Sequence, residues 1–172
     1  SLLSLIMRFY DITSGVVKIG GVNIKNMSIK QLRDMIGYVP QKAVLFSGTI
    51  ESNIKYGKQD ATYEEMVEAA KIAQSYDFID SLDEKFNAPV AQGGTNFSGG
   101  QKQRLSIARA IIKKPEIYLF DDSFSALDYE TDKKLREALS ENMNRATLVI
   151  VAQRLSTVLN ADKILFIDEG KI

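Results

Sequence analysis

The sequence predicts an α/β fold in which a parallel sheet is covered by helices. Three observations carry that expectation. From Gly93 onward, strand-sized and helical segments alternate: loop GGTN, helix SGGQKQRLSIARAIIKK, strand EIYLFD, helix YETDKKLREALSENM, strand TLVIVAQ, helix STVLNA and strand KILFIDEG. The strand-sized runs are apolar and rich in β-branched residues, as strands buried on both faces are. Asp121, Asp122 and Gln153 fall at the carboxyl ends of such runs, where ligands sit in open parallel sheets.

The elements before Gly93 follow in order. SLLSLIMRF reads as a helix, with Leu2, Leu3, Leu5, Ile6 and Phe9 at helical spacing; it opens in mid-pattern, which suggests the interior of a longer protein. VVKIGGVNI reads as a hairpin broken at Gly20 and Gly21. A short helix is expected near SIKQLRDM, then the strand IGYVPQ. Residues 63–82 carry Met66, Ala69, Ala70, Ala73 and Phe78 between acids and lysines, an amphipathic helix, so the middle third is mainly helical.

Composition narrows the chemistry. The chain has 172 residues, enough for one domain with a core of its own. Basic and acidic residues balance at 22 each, so no global field recruits nucleic acid or an anionic membrane. Cysteine and histidine are both absent, which excludes disulfides, thiolate metal sites and the usual neutral-pH base, and fits a cytosolic setting. No apolar run approaches the roughly 18 residues of a spanning helix.

Two stretches carry chemistry. In NFSGGQKQR, Ser98 and Gln101 are spaced as a capping box, a reading that needs no ligand. Two glycines in the first turn weaken a helix by on the order of 1 kcal/mol each. Close approach of an anion to the helix N-terminus is the plausible compensation, so the turn also reads as a phosphate site. In EIYLFDDSFSALD, Asp121 is either a solvated strand end or the outer anchor of a magnesium ion, which prefers oxygen ligands and keeps several waters.

FSGGQKQR, then IYLFDDSFSALD, then VIVAQRLST resemble, in order and spacing, the signature motif, Walker B strand, D-loop and switch loop of the nucleotide-binding domain of exporter-type ABC transporters. YVPQ at 38–41 is similar to that family's Q-loop, and RFYDITSGVVKIGG, LFSGTIESNI and ADKILFIDEGKI extend the likeness over the whole chain. The resemblance implies a P-loop NTPase-like (RecA-like) sheet with an inserted helical subdomain near residues 52–107. It also implies ATP and Mg2+ as ligands, ATP hydrolysis as the activity, and a place on the cytoplasmic face of a cell membrane, bacterial by expectation.

By the same resemblance Ser1 falls at the last hydroxyl of the family's P-loop, whose lysine and magnesium-binding hydroxyl are not in this sequence, nor is the aromatic that stacks on adenine. The 172 residues alone are therefore expected to hold ATP poorly. Gln41 would sense metal and attacking water, Asp121 would hold magnesium through water, and Asp122 would face the attacking water. Ser98, Gly99 and Gly100, supported by Gln101, would reach the γ-phosphate in the opposite subunit's site. Asp128 would join the two sites, with a helix N-cap as its alternative. Val44, Leu45 and Phe46 would either meet the transmembrane domain or belong to the core. The partners implied are that domain and a second nucleotide-binding domain, with no nucleic acid.

Family members that hydrolyse efficiently carry glutamate and histidine where this chain has Asp122 and Gln153. Aspartate is one methylene shorter, a retreat of about 1 Å, and such misplacement can cost about a hundredfold. Glutamine donates a hydrogen bond but takes up no proton. Gln92 also stands where many exporters have glutamate. With the FSGGQ signature intact, the pattern is that of the degenerate-site subunit of a heterodimeric exporter. A slow homodimeric exporter, a soluble nucleotide-gated clamp and a regulatory ATP-binding module are the rival readings.

Overall fold

The computed structural model describes residues 2–143 and 145–172, with the backbone alone at residues 155 and 156. Its centre is a parallel sheet of β3 (Ile36–Val39), β6 (Ile117–Asp121) and β7 (Thr147–Val151) in the order β3-β6-β7. Tyr38 lies level with Leu119, and Asp121 with Val151, so β6 is the middle strand and its tip projects between its neighbours' ends. A hairpin of β1 (Lys18–Ile19) and β2 (Val22–Asn23) turns at Gly20 and Gly21, both at positive φ, which glycine adopts without strain. A second antiparallel pair joins β4 (Gly48–Thr49) to β5 (Pro89–Val90).

Side chains of β6 alternate between two cores, as period-2 geometry requires. Leu119 is buried with Ile36, Leu32, Ile24, Leu3 and Met7, beneath α1 (Leu2–Ile6), α2 (Ile29–Asp34) and the hairpin. Tyr118 and Phe120 face the larger core, built with α3 (Ile50–Lys55), α4 (Tyr63–Ile72), α5 (Tyr76–Asp80), α6 (Gly99–Ile111) and α7 (Tyr129–Asn142). Full burial of a side chain such as Phe120 stabilises by about 1.5–3 kcal/mol. The P-loop NTPase-like parallel sheet expected from sequence is therefore present. α8 (Leu155–Val158) follows β7.

Two expectations fail locally. The helix read over 63–82 is two helices, because Gln74 takes φ +56 and the backbone turns between α4 and α5, with Gln74 O accepting a 2.8 Å bond from Arg104. The final strand KILFIDEG is not formed. Ile164, Leu165, Phe166 and Ile167 lie exposed, and the segment's only ladder is a bridge between Asp168 and Lys171. Among the described residues no strand lies beside it to satisfy its backbone or cover its apolar side chains.

Candidate functional site

The carboxyl end of β3 is stitched residue by residue to its surroundings. The Tyr38 hydroxyl donates to Asp121 Oδ2 at 3.1 Å, the Ser123 hydroxyl donates to Val39 O at 2.8 Å, Gln103 Nε2 donates to Pro40 O at 3.0 Å, and Gln41 Nε2 donates to Asp122 Oδ2 at 3.0 Å. Ser123 and Gln103 are buried, so these two bonds satisfy groups that would otherwise be costly to bury. Burial, and then the neighbouring Asp121 carboxylate, push the Tyr38 phenol above its ordinary range, so it acts as the donor.

Gln153 closes the cluster from β7, its Nε2 donating to the same Asp122 Oδ2 at 2.9 Å. Asp122 is 7% exposed and adopts φ +48, a left-handed conformation that aspartate tolerates better than most side chains. Its amide continues the parallel ladder to Val151 O at 3.0 Å, and its carbonyl accepts from the Ser125 hydroxyl at 2.8 Å. Gln41 and Gln153 are themselves exposed, so the cluster opens to solvent. Gln41, Asp121, Asp122 and Gln153, which the sequence placed in one site, are brought together.

The signature turn opens α6, the helix whose Gln103 reaches Pro40. Ser98 Oγ accepts from Gln101 N at 3.2 Å and Gln101 Oε1 accepts from Ser98 N at 2.9 Å, the capping box of α6. Ser98 and Gly99 are exposed, and a Cβ on Gly99 would meet nothing within 4 Å, so the backbone there is open to a close approach. Gly100 differs: a Cβ would lie 3.3 Å from Ala126 O, in the loop leading to α7. Asp128 is the N-cap of α7, accepting from Thr131 N at 2.9 Å and from the Thr131 hydroxyl at 2.7 Å. The Thr131 amide holds its carboxyl below the ordinary range.

The apolar trio divides: Leu45 is buried, whereas Val44 and Phe46 are 56% and 47% exposed. Arg109 underlies the exposed pair, donating to Val44 O and Asn53 O and Oδ1 at 2.8–3.0 Å, with its guanidinium 5.1 Å from the Phe46 ring. Gln92 is exposed in the turn after β5, and Ser1 lies outside the described residues.

Among the described residues no group of three acidic side chains could enclose a metal. Magnesium does not require one, since it binds through one or two carboxylates plus waters and phosphates. Asp121 supplies a hard carboxylate, and Gln41, whose amide nitrogen is engaged by Asp122, supplies an amide oxygen, so the residues fit that ion. A cavity of about 650 Å³ lies between α4 and α7, lined by Tyr63, Val67, Ile72 and Ala138 among others, and none of the predicted site residues lines it.

Sequence reasoning missed Tyr38, Gln103, Asn53 and Arg109. A polar residue buried on an apolar face was the available signal for Asn53 and Gln103, which are each 1% exposed.

Comparison with known proteins gives consistent results. The family model described as ABC transporter matches residues 1–125. The chain is 49% identical to ABC transporter B family member 21 of Arabidopsis thaliana over 172 residues, covering all of this chain and 13% of that protein. It is 45% identical to an uncharacterized ABC transporter ATP-binding protein of Mycobacterium tuberculosis over 175 residues, covering 30% of that protein. Among solved structures, that of a bacterial Atm1-family ABC exporter with ATP bound superposes with a TM-score of 0.95 at 40% identity, over 98% of this chain and 30% of that one. The chain thus spans less than a third of the length of these relatives, and none of its described helices is long and apolar enough to cross a membrane.

Proposed function

The chain belongs to the ABC transporter family as an exporter-type ATP-binding domain, and from that premise we propose that it forms the hydrolytically degenerate site of a heterodimeric exporter. One observation carries the reading: both amides, Gln41 Nε2 and Gln153 Nε2, converge on Asp122 Oδ2. Two donors thus occupy one oxygen of the carboxylate that stands in the place of the general base. Neither glutamine can accept the proton in its place.

In this reading Asp121 and Gln41 hold magnesium, which when bound neutralises developing charge on the phosphates. The turn Ser98, Gly99, Gly100 and Gln101, exposed at Ser98 and Gly99, completes the site of a second nucleotide-binding domain, and Asp128 communicates between the sites from its cap position. Residues 52–107 form the helical subdomain, while Val44 and Phe46, held out by Arg109, meet the transmembrane domain at the cytoplasmic face of the membrane. The 172 residues contain no Gly-Lys-Ser/Thr run. Isothermal titration should therefore find no micromolar ATP binding by the chain alone.

The test of degeneracy is Asp122→Glu combined with Gln153→His in the full-length transporter. General acid and base terms are worth about 10² to 10⁴ in rate. Single-turnover loss of occluded ATP at this site should accelerate by about a hundredfold, the lower end of that range. An unchanged rate would overturn the proposal.

A further inference from the structure

We infer that Tyr38 is a positioning residue for the magnesium-holding carboxylate, an inference that rests on the role just proposed for Asp121. Because Tyr38 lies level with Leu119, it shares a sheet face with Asp121 two residues further along β6. From there its hydroxyl reaches Asp121 Oδ2 at 3.1 Å, across 83 positions of chain. The ring is fixed from behind by an edge contact with Phe9, centroids 5.8 Å apart at 74°, and Phe9 in turn lies under the Arg33 guanidinium at 5.0 Å.

The two adjacent acids are thus tethered differently. Asp122 is held by amides from two exposed loops, whereas Asp121 is held by a phenol rooted in the N-terminal core. A carboxylate with Oδ2 fixed cannot rotate freely, so Oδ1 keeps one orientation and serves a magnesium-bound water. Partners of this kind set the geometry of metal-holding groups, and losing one weakens metal affinity by about 10- to 100-fold.

The experiment uses the full-length transporter with saturating ATP and Mn2+ in place of Mg2+, free Mn2+ being counted by electron paramagnetic resonance. Tyr38→Phe keeps the ring and removes the hydroxyl; it should weaken one class of Mn2+ sites by about tenfold, the lower end of that range. Ile24→Val keeps the hydroxyl and its Phe9 support while loosening the same buried core; it should lower the melting temperature and leave Mn2+ affinity unchanged. Unchanged affinity in Tyr38→Phe, or equal losses in both variants, overturns the inference while leaving the nucleotide site standing. Absence of ATP-dependent Mn2+ binding at this site in the unmodified protein overturns the inference together with the role of Asp121.

Discussion

Arg109 shows how one side chain organises a surface. Its planar fork serves three acceptors on two residues while its face lies against Phe46, a combination that the single ammonium of lysine cannot reproduce. Arg109→Lys should destabilise by about 2 kcal/mol. In thermal unfolding that is a fall of about 4–8 °C in melting temperature, at about 2–4 °C per kcal/mol for a domain of this size. Glu65 reports acid sensitivity. Bonds from Lys58 Nζ and then from the Thr62 amide lower its carboxyl from the ordinary 4.5 to about 2. A depressed folded-state pKa contributes stability above 4.5 that is lost as pH falls toward 2. Glu65→Gln should therefore flatten the loss of stability in that window, as measured by denaturant titration at several pH values. Asp121, Asp122 and Gln153 were legible in the sequence because each ends an apolar run, and Gln41 through the resemblance of YVPQ to the Q-loop. Tyr38 was not, because its partner lies 83 positions away and a tyrosine within a strand reads as packing.

At the scale of elements, glycine and capping chemistry set how closely helices approach. A Cβ on Gly57, just past α3, would sit 2.1 Å from Arg109 O and 2.9 Å from Ile112 Cγ2, so α3 reaches α6 only because that position lacks a side chain. Gly57→Ala should cost about 3 kcal/mol, a drop of about 6 °C or more in melting temperature. The signature turn offers a cleaner separation of roles. Ser98→Ala removes the α6 cap and should cost about 1 kcal/mol, whereas Ser98→Asn, an equally good cap, should keep the melting temperature. Under the proposed function both variants should lower ATP turnover at the partner's site, which a steady-state ATPase assay on the assembled transporter measures. A capping signal made the start of α6 readable from sequence. The break at Gln74 was not readable, because apolar periodicity continued from Ala73 to Phe78 and the turn is stabilised by Arg104, remote in sequence.

For the whole molecule, the three-stranded sheet ends at β7, and Val151 at its tip is 39% exposed. Together with the exposed run Ile164 to Ile167 this presents, among the described residues, an edge without a further strand and an apolar segment, the features through which sheets recruit further strands. The 172 residues alone should accordingly self-associate, with sedimentation velocity showing concentration-dependent species that Phe166→Lys diminishes. The parallel sheet could be anticipated from alternating elements, but its strand order and the state of KILFI could not, since an apolar run becomes a strand only beside a neighbour. Asp122 Oδ2 has one more consequence at this scale. It has two lone pairs, and each already receives a hydrogen, one from the segment after β3 and one from the segment after β7. A water molecule seeking that atom competes with both amides, and displacing either one is felt in a different stretch of chain.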